Sequence, residues 1–509
     1  MAGVLLRPVA PLAARRQPLP RLSDRWLGEV PRAGTTVELP RGADVLGLEW
    51  DAAGAPQVRL RLLAHNGRWS PWVSAAGCLA DEPSEAASRA RVIGAPVWTA
   101  GATAVQVRPE RALSGVRLHL IDASDGAGAR RAALARSLLG AGAAAALPVL
   151  APATAGQPRI IARAAWAHSV AHPRVAPGYG SVRMAFVHHT ENPNGYLASE
   201  VPAMLLSIFL YHRDVRGWND IGYNFVIDAF GRTFEARAGG IDEPVVGAQA
   251  GGFNLESTGV AVLGSFSSEL PPPAALRSLR ELLAWKLSLH GVPATGRARV
   301  RVNPAGAVYS RFPARAHVSL PHIAGHRDGD STDCPGDAFY ARLRAIRAGV
   351  RALAPNPTHV TLALSLAPPP PGPSSTAPPE ASPSPAVTAR TPLELSGSHT
   401  SAEGAPVAGA AVALQVRSVS VRGEVVRERT VAEVATDAAG AWSLAGRAAG
   451  SLRGKPAWLR ALYRGSPGEP AAGGATVRAA VSAPLAVPAA VIAALAGAPS
   501  QAASPSPSP

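Results

Sequence analysis

The feature that most constrains this chain is the run His326-Arg327-Asp328-Gly329-Asp330-Ser331-Thr332-Asp333-Cys334-Pro335-Gly336. It sets a histidine near one of two cysteines in 509 residues and follows that cysteine with a Pro-Gly turn. His326 and Cys334 are too far apart for one helical turn, so a loop that folds back must bring them together. Imidazole and thiolate are favoured zinc ligands, and a catalytic zinc takes three protein ligands and one water. The best third candidate lies far upstream, where the apolar run Met184-Ala185-Phe186-Val187 ends on His188-His189. Taken singly, each of these residues is more often structural: a histidine packed in the core or at the surface, a cysteine acting as a small buried hydrophobe.

The chain is too long for one domain, and its length suggests about three. Residues 1–35 read as an N-terminal extension and 36–122 as a β-sandwich. Val58-Arg59-Leu60-Arg61-Leu62, Val105-Gln106-Val107-Arg108 and Val116-Arg117-Leu118-His119-Leu120 alternate with period two, and Ala53-Gly54 and Asn66-Gly67 supply turns. Trp50, Trp69, Trp72 and Trp98 fall in this region. Core packing is their expected role, with stacking on sugar rings the alternative. Residues 123–156 read as an Ala/Pro-rich linker that opens with a helix over 130–139.

Residues 157–353 alternate strands and helices, which predicts an α/β domain with a mixed central β-sheet flanked by helices. A buried strand is expected over 182–188 and a helix over 200–212. Ser199 is its candidate cap, and Val201, Met204, Leu205, Ile208 and Phe209 form its apolar stripe. Strands over 223–227 and 260–263 and helices over 273–290 and 337–353 follow. Residues 354–486 return to strand alternation as an Ig-like or transthyretin-like β-domain with a Pro-rich insertion or linker at 367–389. Residues 487–509 form a low-complexity tail.

The net charge is +15, and arginine supplies all the basic residues except Lys286 and Lys455. The arginines are spread out with no basic block, which argues against nucleic-acid binding and leaves long-range attraction to an anionic polymer. Residues 137–156 carry no charge but are broken by Gly140, Gly142, Pro148 and Pro152, so no transmembrane span is expected. Residues 1–17 hold no clear signal peptide. If Cys334 ligates a metal, Cys78 remains as a single buried thiol and no disulfide framework exists.

Six motifs in order carry a resemblance. They are Arg163-Ala164-Ala165-Trp166, Phe186-Val187-His188-His189-Thr190, Gly217-Trp218-Asn219-Asp220-Ile221-Gly222-Tyr223-Asn224-Phe225 and Asp228-Ala229-Phe230-Gly231-Arg232. Then come Ser257-Thr258-Gly259-Val260-Ala261-Val262-Leu263-Gly264 and the run from Gly325 to Gly336. The segment resembles the peptidoglycan recognition proteins and the zinc-dependent N-acetylmuramoyl-L-alanine amidases.

The resemblance implies Zn2+ held by His188, His326 and Cys334, a structural His189, and catalytic roles for Tyr223 and Thr332 at a developing oxyanion or the attacking water. It implies hydrolysis of the amide between N-acetylmuramic acid and L-alanine. The alternatives are a non-catalytic peptidoglycan-binding protein and a hydrolase with a Cys334–His326 nucleophile pair. The expected partners are the muramyl peptides of peptidoglycan and other anionic wall polymers. The expected form is a monomer, secreted or associated with the cell wall. Gln249 stands where many relatives carry a histidine that lines the substrate groove, which implies a changed stem-peptide preference. His212, at the end of its helix, is expected to be structural.

Overall fold

The computed structural model describes residues 20–51, 57–75, 91–123, 149–150, 156–167, 170–354, 357–366, 391–419, 425–448, 457–464, 480–482 and 485–487. Cys78, the Ala53-Gly54 turn, the helix expected over 130–139, the Pro-rich segment 367–389 and residues 488–509 lie outside the described residues.

Two antiparallel sheets face each other near the N-terminus. One runs Arg21–Val30, Leu113–Asp122, Val45–Asp51, Arg91–Ile93, with Val97–Trp98 also paired to Val45–Asp51. The other runs Thr35–Glu38, Ala104–Pro109, Val58–Leu63, Val73–Ser74. Leu46, Leu48 and Trp50 from one sheet meet Val58, Leu60 and Leu62 from the other, one apolar face per strand. The strand Arg21–Val30 falls in the segment expected as an extension. Most of its residues are exposed, so it lacks the alternation that marks its neighbours. Trp50 and Trp98 are buried, whereas Trp69 and Trp72 are half-buried and each lies 4.7 Å from the Arg61 guanidinium.

The central region is a mixed sheet built from β1 (Ile160–Ile161), β2 (Met184–His189), β3 (Phe225–Ile227), β4 (Thr233–Glu235), β5 (Ser257–Val262) and β6 (Ile323–Gly325). Its order is Val149–Leu150, β1, β4, β3, β5, β2, β6. β2 runs parallel to both neighbours and is buried at every position, which a continuous apolar run requires. Its alternate residues Ala185 and Val187, with Val260 and Val262 of β5, pack with residues of two helices, Pro273–Leu289 and Leu343–Leu353. On the opposite face Val226, Ala261 and Leu263 pack with the helix Val201–Leu210. In chain order these helices are α1 (Val201–Leu210), α2 (Pro273–Leu289) and α3 (Leu343–Leu353).

Two helices differ from expectation. Ser199 does not cap α1; Glu200 occupies the cap and its carboxylate accepts from Leu197 N–H (2.6 Å). α1 then continues into a π-helical turn, Tyr211–Val215, instead of ending at His212. The helix expected over 337–353 is two, Asp337–Tyr340 and α3, because Arg342 N–H bonds Phe339 O (2.9 Å) and tightens the turn between them.

A second pair of sheets follows. Thr391–Ser401 pairs antiparallel with Thr358–Val360, Ala363–Leu366 and Ala441–Ala448. Ala411–Val419 lies between Val425–Ala435 and Ala457–Tyr463. The strands on either side of the Pro-rich segment thus pair with each other. Leu462 and Val481 join the core under α2, so this unit is docked on the central sheet's helical layer. Beside that contact a buried ionic cluster forms. Arg417 Nη1 and Arg460 Nη1 reach Asp242 (2.8 and 2.6 Å) and Glu243 (3.0 and 2.9 Å). Among the described residues, no helix is long and apolar enough to cross a membrane.

Candidate metal centre and active site

Strand register places the first two donors. β2 and β6 run parallel with Val187 opposite Gly325, so His188 and His326 follow at the same carboxyl end of neighbouring strands. Ligand sites in such sheets gather at that end. Successive strand side chains point to opposite faces, which separates His188 from His189. His189 turns away: its Nδ1 accepts from Phe266 N–H (3.2 Å) and its Nε2 faces Glu191 Oε1 (2.8 Å).

The loop after His326 folds back because Arg327 N–H donates to Cys334 O (2.9 Å). It turns at Gly336, where φ is 90° and a Cβ would lie 2.4 Å from the Phe266 carbonyl carbon. Only glycine meets both conditions without strain. The turn sets Cys334 Sγ 3.6 Å from His188 Nδ1. The His188 and His326 ring centroids are 4.5 Å apart. Nitrogen and sulfur atoms of His188, His326 and Cys334 lie within 4.8 Å of one another, and all three side chains are buried.

Each imidazole is held at its far nitrogen. His188 Nε2 lies 2.6 Å from Gln249 Oε1, and His326 Nε2 lies 2.8 Å from Asp330 Oδ2. Metal-ligating histidines commonly donate their second N–H to such an acceptor. Two neutral imidazoles and a thiolate make a donor set suited to zinc.

Tyr223 comes to the same place, its ring 5.3 Å from that of His188. Thr332 lies on the loop, where its Oγ1 accepts from Cys334 N–H (3.2 Å). The hydroxyl therefore braces the turn that presents Cys334. Gln249 lines the cleft; it is 1 % exposed, and its amide engages His188 and Ser257. His212 sits in the π-helical turn instead of at the end of its helix. The π-helical turn carries it into the cleft, its ring 4.5 Å from Trp218 and 5.8 Å from Tyr223, and its Nδ1 accepts from Gly222 N–H (3.1 Å). Asp330 was missed in the sequence, although its place four residues after His326 was a signal.

One wall of the cleft comes from the N-terminal sandwich. Ala95 and Pro96 face His212, Trp218, Tyr223 and Gln249 across it. Tyr211 Oη donates to Gly94 O (2.9 Å), and Arg216 Nη2 donates to Ile93 O (2.8 Å) and Gly94 O (2.9 Å). Trp98 N–H donates to Asn192 Oδ1 (2.7 Å). Nothing in the spacing of residues 93–98 announces this contact.

Residues 178–337 match the N-acetylmuramoyl-L-alanine amidase family, and residues 15–137 match the family described as Rv3811 N-terminal galactose-binding domain-like. The N-acetylmuramoyl-L-alanine amidase of Homo sapiens is 35% identical over 163 residues, covering 31% of this chain and 23% of that protein. The chain spans about a quarter of the length of the first curated relatives it matches. The peptidoglycan-recognition protein SC1a/b of Drosophila simulans is 28% identical over 36% of this chain and 84% of its own length. The solved structure of wild-type Drosophila PGRP-LB aligns at 25% identity over 37% of this chain and 93% of that one, with a TM-score of 0.29. Residues 178–337 thus match the N-acetylmuramoyl-L-alanine amidase family model, and the proteins similar to this chain include N-acetylmuramoyl-L-alanine amidases and peptidoglycan-recognition proteins.

Proposed function

We propose that this chain is a zinc-dependent N-acetylmuramoyl-L-alanine amidase. The observation that carries the reading is the convergence of His188, His326 and Cys334 within 4.8 Å at the carboxyl end of parallel strands. These residues would hold the metal, the imidazoles through Nδ1, because Nε2 of each meets an acceptor. Zinc in such a site polarises a carbonyl and lowers the pKa of a water toward ~7.

The chain's own groups do the rest. The cleft beside the metal centre holds the muramyl lactyl-amide, with Ala95 and Pro96 on one side and Tyr223 on the other. The Tyr223 phenol donates to the carbonyl oxygen as negative charge develops there. Thr332 keeps Cys334 presented by taking its N–H. The net charge of +15 draws the protein to anionic wall polymers. The C-terminal two-sheet unit serves as an Ig-like or transthyretin-like wall module. The protein works as a secreted or wall-associated monomer, with the catalytic domain over 157–353 and β-domains over 36–122 and 354–486.

The test is digestion of purified muropeptides by the zinc-loaded protein, read by mass spectrometry. The expected products are a peptide with a free L-alanine amino terminus and an intact N-acetylmuramic acid fragment. Muropeptide retained without cleavage would make this a binding protein.

A further inference from the structure

We infer that the turn from Gln249 to Asn254 is the device that orients both metal-binding imidazoles, with Gln249 as the positioning residue for His188. This rests on the zinc reading above and adds residues that the ligand triad does not include.

The amide of Gln249 has a defined orientation. Ser257 Oγ donates to Phe253 O (2.9 Å), so its lone pair accepts from Gln249 Nε2 (2.9 Å). The other end of the amide, Oε1, therefore faces His188 Nε2 at 2.6 Å. A carbonyl oxygen can only accept, so Nε2 carries the proton and Nδ1 carries the lone pair. Nδ1 is the nitrogen that faces Cys334 Sγ at 3.6 Å. The network thus selects the one neutral tautomer able to ligate beside the thiolate.

The same turn reaches the second histidine. Gly251 N–H donates to Asp330 Oδ2 (2.6 Å), and that oxygen also accepts from His326 Nε2 (2.8 Å). Gly251 can make the contact because it has no side chain: a Cβ would lie 2.5 Å from Gly306 O and 2.9 Å from Tyr309 Cβ. Asn254 pins the turn from below. Its Oδ1 accepts from Gln249 N–H (2.8 Å) and Ala250 N–H (3.1 Å). Gln249, Ser257, Asn254 and Asp330 are all buried. One short segment therefore ties the orientation of His188 to that of His326.

The experiment measures zinc affinity of the full-length chain by competition with a chromophoric chelator. Gln249→Leu removes the acceptor at similar volume, and zinc binding is expected to weaken about 10- to 100-fold, the usual cost of a lost outer partner. Gln249→Glu keeps an acceptor at His188 Nε2 and is expected to recover most of that loss. A merely structural role gives no such rescue. Unfolding curves of the metal-free proteins report whether the variants fold. If Gln249→Leu does not, Ser257→Ala takes its place, since it releases the amide to rotate and lowers affinity in the same direction. Wild-type affinity in the folded variant overturns the inference. A wild-type chain that binds no zinc overturns the zinc reading itself, which is a distinguishable result.

Discussion

Cys334 Sγ stands 3.6 Å from His188 Nδ1, although 146 residues separate them in the chain. The contact joins a buried central strand to a surface-returning loop, and the turn at Gly336 makes it possible. A thiolate held there supplies both a soft donor and a negative charge.

Cys334→Ser keeps the volume and weakens the donor. Zinc affinity is expected to fall more than about 100-fold, beyond the cost of losing an outer partner. Metal content after dialysis checks it, alongside a melting curve of the metal-free protein that should move little.

Tyr223→Phe removes a single phenol oxygen near His188. Loss of one donor to a developing oxyanion costs about 10²- to 10³-fold in kcat. The expected result is that fall with zinc content unchanged. A variant with full kcat would return Tyr223 to packing.

Arg460→Ala leaves Asp242 and Glu243 buried with one partner fewer. Removing half of a buried pair costs about 3–5 kcal/mol. Denaturant unfolding should show that loss, while zinc affinity stays at the wild-type level because the cluster lies on the α2 side of the sheet.

Acid and base should act on this cluster in opposite senses. Burial pushes Asp242 up, but the Arg460 and Arg417 charges overcome it and hold the carboxyl well below its usual range. Its native pKa is below the unfolded one, so its contribution is fully present above pH ~4 and declines as pH falls further. Burial pulls Lys286 down to about 7, against the opposing pull of Asp242 and Glu243. The unfolded chain keeps that proton up to pH ~10.4, so stability should rise with pH between about 7 and 10. Lys286→Met should flatten that upper slope, and Asp242→Asn should move the acid limb. Unfolding midpoints taken across pH test both.

Much of the central sheet was legible because its residues obey simple periods. Residues 184–187 are an unbroken apolar run ending on His188-His189, and Met184–His189 is a strand buried at every position. The stripe Val201, Met204, Leu205, Ile208 and Phe209 is buried in α1, and Leu206, Ser207 and Leu210 are buried with it. The three candidate ligands could be named from donor chemistry and resemblance, and the structure brings them together. What stayed hidden depends on relations that no local pattern encodes. The strand Arg21–Val30 is mostly exposed and so shows no alternation. The π-helical turn that aims His212 into the cleft breaks the helical period. The inward turn of Gln249 depends on Ser257 and Phe253. The wall formed by Ala95 and Pro96 and the pairing of Arg417 with Asp242 join separate units, through residues far apart in the chain.

The most direct test of the account is the rate of L-alanine amino-terminus release from muropeptides, measured before chelation, after chelation and after zinc is returned, for wild type and Cys334→Ala together. The account predicts that wild-type release stops on chelation and returns with zinc, and that Cys334→Ala releases nothing. Release that survives chelation but is abolished by thiol alkylation would contradict it and make Cys334 a nucleophile.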